Sequence, residues 1–192
     1  MVRSVLKRKM LDTLRSWRAE KGAECLLIKG ARQVGKSYIV AEFGRQDYES
    51  FISIDFIGSP DLKRVFDGPI DADSIYRQIS LVVPGVRFVP GRTLLFLDEI
   101  QECPRARAAL KYLALDGRCD VVASGSLLGI RFKEEAALAS IPVGYEREVE
   151  MGPLDFEEYL WARGYGEDDI VNLREYYESV SYTHLTLPTK LE

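Results

Sequence analysis

Cysteine and histidine are scarce in this sequence of 192 residues, which contains three cysteines and one histidine. Cys25, Cys103 and Cys119 are odd in number and form no C-x-x-C pair. This pattern argues against a disulfide scaffold and against a zinc framework of the usual spacing. Unpaired thiols are typical of reducing compartments, so we predict a cytoplasmic protein.

Long apolar runs and a strong net charge are also lacking. No run approaches the ~20 apolar residues that cross a bilayer, and the charged amino terminus lacks the apolar core of a signal peptide. We therefore expect no membrane contact. The net charge of −4 argues against a chain that binds nucleic acid non-specifically over its whole surface.

Positive charge is concentrated in residues 1–21, where seven basic residues stand against two acidic ones and give a net charge of +5. Apolar residues recur there at a helical period, which predicts an amphipathic helix within residues 1–22. Two interpretations of the charge stay open. It forms either a solvated helix face or a nucleic-acid surface that includes Lys7, Arg8 and Lys9.

Strands and helices alternate along the rest of the chain. The predicted strands are residues 23–29, 51–56, 93–97, 119–123 and 146–151, and the predicted helices are 36–43, 60–66, 71–81 and 104–116. This order predicts an α/β fold, a three-layer sandwich around a mostly parallel sheet. Asp155 and Glu158 form a capping-box pattern that predicts one more helix start. We expect a domain over residues 23–163 and a linker or further region over 164–179.

The stretch GARQVGKS follows the first predicted strand directly and precedes a predicted helix. It matches the Walker A pattern G-x-x-x-x-G-K-[ST], in which backbone N–H groups and a helix amino terminus surround nucleotide phosphates. Lys36 would bridge the β- and γ-phosphates, and the Ser37 hydroxyl would bind Mg²⁺. The predicted nucleotide-binding residues are Gly30, Ala31, Arg32, Gln33, Val34, Gly35, Lys36 and Ser37.

Two acids end the third predicted strand, in the stretch LLFLDE. This Walker B pattern places Asp98 and Glu99 at the carboxyl edge of the sheet, where α/β proteins hold ligands. Asp98 would bind Mg²⁺, and Glu99 would act as general base for the attacking water. Nucleotide kinases and small GTPases usually lack the second acid, and no N-K-x-D element for guanine occurs. Magnesium-dependent ATP hydrolysis is therefore the favoured reaction, with Glu99 and Lys36 as catalytic residues.

A small hydroxyl residue ends the next strand, in the stretch VVASGS. Ser124 or Ser126 would hydrogen-bond the γ-phosphate or the lytic water, and strand position favours Ser124 as a third catalytic residue. Asp55, at the end of the second strand, either faces the same edge or caps a loop.

Arginines that could reach a neighbouring subunit's γ-phosphate are Arg131 and Arg147, and Arg32 could contact phosphate or a partner. For each of them, a solvated surface position is the competing interpretation. The sequence alone does not choose between these roles.

Four motifs in order resemble the prokaryotic AAA+ superfamily ATP-binding proteins. They are GARQVGKS, LLFLDEIQECP, VVASGSLLGI and IPVGYEREVEMGPLDFEEYL, within roughly residues 20–165. The resemblance implies an additional-strand, catalytic-glutamate P-loop ATPase in which one subunit often completes the site of the next. It also implies that Gln101 helps to couple the site to its neighbours. Many members carry Gly-Arg where this chain has Gly144-Tyr145, so no arginine finger is assigned there.

Members of that family carry a C-terminal domain of unknown function after the ATPase domain. Residues 180–192 instead resemble one reading frame of an adapter used to build sequencing libraries. We therefore expect a non-native tail and a natural chain that continues differently beyond Ser179. His184 then has no functional role, and a nucleic-acid or protein contact is expected in the missing domain.

Three functions are compatible with these residues. The first is an AAA+ ATPase that drives a conformational change in a partner, within a homo-oligomer or alone. The second is a nucleotide-gated module that binds nucleic acid or protein with little turnover. The third, a small-molecule kinase, lacks any recognisable lid or acceptor motif.

Overall fold

The computed structural model describes residues 6–20, 22–126 and 144–184. Its strands are β1 (Cys25–Gly30), β2 (Ser50–Asp55), β3 (Thr93–Asp98), β4 (Asp120–Ser126) and β5 (Glu146–Glu150). Its α-helices are α1 (Lys9–Glu20), α2 (Lys36–Asp47), α3 (Ala72–Val82), α4 (Pro104–Asp116), α5 (Phe156–Ala162) and α6 (Glu167–His184). Two 3₁₀ helices cover Pro60–Phe66 and Ile100–Glu102. None of the described helices is long and apolar enough to cross a bilayer.

The chain divides into two compact units. One comprises Met10–Pro153 and contains the whole sheet, and the other comprises Met1–Lys9 together with Leu154–Glu192. Each is described by itself below.

The five described strands of the larger unit form one parallel sheet with the order β2-β3-β4-β1-β5. Strand β4 therefore lies between β1, which leads into the phosphate loop, and β3, which ends in the two acids. Parallel strands end on the same edge of a sheet, so both motifs lie on the carboxyl edge. This confirms the predicted α/β architecture.

Strand β3 shows that helices cover both faces of the sheet. All six of its residues are buried. Leu95 and Leu97 belong to one core cluster with residues of α3 and α4, whereas Leu94 and Phe96 belong to a second cluster with residues of α1 and α2. A continuous apolar run without polar alternation is typical of such a central parallel strand.

Helix α1 is shorter than the sequence predicts. It begins at Lys9, and residues 6–8 are not helical. The side chains of Lys7 and Arg8, just before the helix, form ion pairs with Glu167 and Glu158 in the same small unit. Helical periodicity does not reveal such distant partners.

The smaller unit contains α5 and α6. Asp155 caps α5 by accepting a hydrogen bond from the backbone N–H of Glu158 at 2.8 Å, and the Glu158 carboxylate accepts one from the Asp155 N–H at 3.0 Å. The predicted capping box is thus confirmed. Helix α6 occupies most of residues 164–179 and runs on to His184, and residues 185–192 of the expected tail lie outside the described part.

Candidate functional site

The phosphate loop connects β1 to α2, and two glycines allow its backbone to follow this path. Gly35 has φ 96°, a left-handed conformation that favours glycine, and Gln33 also has a positive φ of 66°. At Gly30 a Cβ atom would lie 2.2 Å from the carbonyl oxygen of Met151, which follows β5. The two glycines of the motif therefore have different tasks, since Gly35 permits the turn and Gly30 permits close packing.

Lys36 is the first residue of α2 and is 5% exposed. Its Nζ donates hydrogen bonds to the carbonyl oxygens of Gly30 at 3.1 Å and Ala31 at 2.8 Å. The ammonium group thus lies over the loop that its own motif forms. A negative phosphate group in the loop would offer this buried cation a stronger acceptor than a neutral carbonyl.

The remaining loop residues face solvent or the core. Ala31, Arg32, Gln33 and Ser37 are exposed, while Val34 packs against the core cluster of α1 and α2. Ser37 lies in the first turn of α2, where unpaired backbone N–H groups and the helix dipole favour anions. The structure therefore places all eight predicted residues in one strand–loop–helix unit.

The two acids occupy different environments. Asp98 is buried at the end of β3, and its Oδ1 accepts a hydrogen bond from the Ser124 hydroxyl and another from the Glu99 N–H at 3.1 Å. Glu99 is half-buried and has the left-handed backbone angles φ 55° and ψ 48°. Its Oε2 accepts a hydrogen bond of 2.5 Å from Nε2 of Gln101.

The sheet register explains the position of Ser124. It lies opposite Ile28 of β1, and its neighbour Ala123 lies opposite Leu97, the residue before Asp98. Ser126 lies opposite Gly30 at the start of the phosphate loop. Ser124 is therefore the serine that contacts an acid, and Ser126 is the one beside the loop.

Asp55 and the arginines have other partners. Asp55 accepts hydrogen bonds from the N–H groups of Ile57 and Gly58, both at 2.9 Å, so it caps the loop after β2. Arg147 lies near the start of β5 and forms ion pairs with Glu20 and Glu24. Hydrogen bonds to Glu20 and then Glu24 raise the pKa of Arg147. Arg131 lies outside the described residues.

Arg147 is therefore remote from the phosphate loop of its own chain. It pairs in register with Leu26, near the beginning of β1, whereas the loop follows Gly30 at the end of that strand.

The basic amino-terminal residues are paired within the small unit. Lys7 binds Glu167 at 2.9 Å, Arg8 binds Glu158 at 3.1 Å, and Lys9 binds Asp155 at 2.6 Å. Hydrogen bonds to Asp155 and then Glu157 raise the pKa of Lys9 to about 12. Three of the seven basic residues in 1–21 thus form ion pairs with carboxylates about 150 residues away in the sequence.

Two contacts of the acids at the end of β3 were not predicted from sequence. One is the contact of Ser124 with Asp98, and the other is the contact of Gln101 with Glu99. The D-E-I-Q spacing was the available signal for the second, but spacing does not show that a 3₁₀ turn brings the amide back to the acid.

Comparison with known proteins agrees with this geometry. The model of the AAA domain family matches residues 23–160. Among solved structures, the chain is similar to the Aeropyrum pernix ORC2 protein in its ADPNP-ADP complexes, with 15% identity and a TM-score of 0.51 over 79% of this chain and 48% of that chain. The ADP form of ORC2 gives 16% identity and a TM-score of 0.51 over 83% and 52%. At these identities the likeness shows the fold, and this chain spans about half the length of those proteins.

A search of curated proteins finds no match. The family match nevertheless covers well over half of the chain and includes the phosphate loop, both acids and Ser124. Because that match and the parallel sheet with its carboxyl-edge motifs agree, the chain belongs to the AAA domain family, that is, to the nucleotide-binding P-loop domains of the AAA+ superfamily.

Proposed function

We propose that this chain binds Mg-ATP in the loop Gly30–Ser37 and hydrolyses it, and that hydrolysis changes the conformation of a partner. The observation that carries the proposal is the position of Asp98 and Glu99 at the end of β3, on the same sheet edge as the loop, with β4 between the two strands. A binding loop alone would serve many nucleotide proteins. A buried acid followed by a half-buried one adds a metal ligand and a base.

The residues present fit a magnesium ion. Ser37 and Asp98 offer hydroxyl and carboxylate oxygens, the ligands that Mg²⁺ prefers. Mg²⁺ usually takes its remaining ligands from substrate phosphates and water. When bound, Mg²⁺ neutralises charge on the phosphate oxygens.

Different groups of the chain would bind the phosphates and activate the water. Lys36 and the loop N–H groups hold the β- and γ-phosphates in place. Glu99 accepts a proton from water while the water oxygen forms a bond to the γ-phosphorus. The bond between that phosphorus and the β–γ bridging oxygen breaks, so ADP and phosphate leave.

The partner and the assembly are part of the same proposal. A homo-oligomer in which a neighbour supplies an arginine would use Arg131 or Arg147, and a nucleic-acid or protein partner would bind through a C-terminal domain. The cellular location is a further part of the proposal. Buried free thiols at Cys25, Cys103 and Cys119 are typical of a reducing compartment and support a cytoplasmic location.

The alternative is a nucleotide-gated module that binds nucleic acid or protein with little turnover. Lys7, Arg8 and Lys9 form ion pairs with carboxylates of their own unit, and a nucleic-acid backbone would have to displace those carboxylates in order to bind there. Fluorescence anisotropy with labelled duplex DNA in low salt would separate the two functions. DNA binding that Lys7→Glu abolishes would favour the alternative. DNA binding that this variant leaves unchanged would not.

Thermal unfolding tests binding, and phosphate release tests turnover. Ligand at ~100 times its dissociation constant stabilises the native state by about 2.7 kcal/mol, which corresponds to a rise in Tm of roughly 5–10 °C for a domain of this size. We expect this rise with Mg-ATP, a smaller one with Mg-GTP and none in Lys36→Ala. The surface variant Lys111→Ala is the matched control and should keep the rise.

Glu99→Gln should keep the Mg-ATP rise in Tm and lose most of the phosphate release. A Tm that Mg-ATP does not move in the unaltered chain would overturn binding. Equal phosphate release from Glu99→Gln and the unaltered chain would overturn the role of the base.

A further inference from the structure

The backbone at Glu99 is held in an uncommon conformation. With φ 55° and ψ 48° it is one of two non-glycine residues with positive φ among those the structure describes. Such a conformation persists only where the surroundings fix it, and it is common at functional sites. Here the 3₁₀ helix Ile100–Glu102 follows at once, the Glu102 N–H donates to the Glu99 carbonyl at 2.9 Å, and the Ile100 side chain is buried.

This turn brings Gln101 back against the acid that precedes it by two residues. Gln101 is 5% exposed, and its Nε2 donates to Oε2 of Glu99 at 2.5 Å. A carboxylate only accepts hydrogen bonds, so the amide nitrogen must be the end that faces Glu99. The contact therefore fixes the orientation of both side chains.

The other end of the same amide is unpaired within the described part of the chain. Oε1 of Gln101 is buried and has no hydrogen-bond partner there. A buried acceptor without a partner lowers stability, and an apolar side chain of similar length would avoid that loss. A residue that is unfavourable for stability yet directed at a candidate general base indicates a functional reason for the amide.

We propose that Gln101 is a positioning residue for Glu99, which rests on the proposed ATPase function. By holding Oε2, the amide leaves Oε1 of Glu99 as the oxygen that accepts the proton from the attacking water. A general base that a third group orients is a recurring arrangement in hydrolytic sites. Loss of such orientation affects the rate more than substrate affinity, because the displaced group acts only on the reacting water.

The kinetic test uses Gln101→Met, which keeps the length of the buried side chain and removes the donor. We expect kcat to fall about 10- to 100-fold, KM to change less than about twofold, and Tm not to fall. Glu102→Gln, in the same 3₁₀ helix, is the matched control; it removes the ion pair with Lys63 but keeps the amide of Gln101, so kcat should stay unchanged. A fall in Tm together with a lower kcat and a proportionately higher KM would overturn the proposal, because Gln101 would then only stabilise the turn.

A double variant shows whether Gln101 acts through Glu99. In the Glu99→Gln background, Gln101→Met should cause no further loss of residual turnover, because the group that it positions is already gone. Additive losses in the double variant would overturn the proposal.

A spectroscopic test does not depend on turnover. In the nucleotide-free protein, the side-chain amide resonance of Gln101 should move when Glu99→Gln removes the charged acceptor, and should stay in place in Glu102→Gln. A resonance that Glu99→Gln leaves unmoved would overturn the contact. A resonance that moves in a chain that releases no phosphate would retain the contact and overturn the proposed hydrolysis, and with it the catalytic purpose of Gln101.

Discussion

The Ser124 hydroxyl on β4 donates a hydrogen bond to Oδ1 of Asp98 at the end of β3, and both side chains are buried. The contact links the strand between the two motifs to the acid that would bind the metal. In this structure the Ser124 hydroxyl contacts Asp98, whereas its position at the end of a strand predicted a contact with the γ-phosphate or the attacking water. Both roles place the hydroxyl on the same edge of the sheet, and the prediction of a catalytic role for Ser124 stays a prediction.

Ser124→Ala should lower the free energy of unfolding by about 1–3 kcal/mol, because a buried carboxylate oxygen loses a donor. Urea denaturation without nucleotide measures this loss directly. Ser53→Ala, an exposed serine on β2, is the matched control and should stay within about 0.5 kcal/mol of the unaltered chain. Equal losses in the two variants would contradict the importance of the contact.

Gly30→Ala should also destabilise the protein, by about 1–3 kcal/mol. The added Cβ would lie 2.2 Å from the Met151 carbonyl oxygen, a backbone atom that cannot turn away as a side chain does. If relief of this clash moves the start of the phosphate loop rather than Met151, the rise in Tm with Mg-ATP should also be smaller.

Gly68→Ala is the control for Gly30→Ala. A Cβ at Gly68 meets nothing within 4 Å and the residue has no positive φ, so this substitution should be neutral or stabilising by up to about 1 kcal/mol. Measurement of both variants by urea denaturation separates crowding at Gly30 from the general effect of replacing glycine. A neutral Gly30→Ala variant would mean that β5 can move away from the loop at little cost.

The fold could be predicted because its signals are local. Apolar runs such as Leu94–Leu97 indicate buried parallel strands, and the spacing from Gly30 to Ser37 specifies a loop and a helix by itself. Pro104 and Gly117 likewise delimit α4 where the structure has it. In each case the chemistry and the consequence lie within a few residues.

The partners of polar side chains could not be predicted in this way. Nothing near Arg8 in sequence indicates Glu158 as its partner, and nothing near Ser124 indicates Asp98. These pairs depend on which strands are adjacent and on where distant segments meet. Periodicity fixes the face of an element and leaves its polar contacts undetermined.

The ion pair of Arg8 with Glu158 offers a test of such a contact. Both side chains are 5% exposed, and the Glu158 carboxylate also accepts hydrogen bonds from the N–H groups of Lys9 and Asp155. Arg8→Met should destabilise the small unit by about 3–5 kcal/mol, because it leaves a buried carboxylate without its cation. Urea denaturation followed by circular dichroism measures the loss.

Arg8→Met combined with Glu158→Gln should recover part of that stability, since the uncompensated charge is then removed as well. The single variant Glu158→Gln completes the cycle. Additive losses across the three variants would show that the two side chains do not interact energetically.

The cap of α5 predicts a pH dependence with a definite sign. The backbone N–H of Glu158, and then Lys9, lower the pKa of Asp155 below its ordinary value of 3.8. Its contribution to stability is therefore present above that pH and is lost as the pH falls through the lower value in the folded state. Asp155→Ala should lose about 1 kcal/mol at pH 7, as is usual for a helix N-cap. The difference from the unaltered chain should shrink as the pH falls below 3.8. Asp155→Asn keeps an acceptor that does not titrate, so it should retain most of the cap at every pH. An Asp155→Ala deficit that stays constant as the pH falls below 3.8 would contradict a charge-dependent cap.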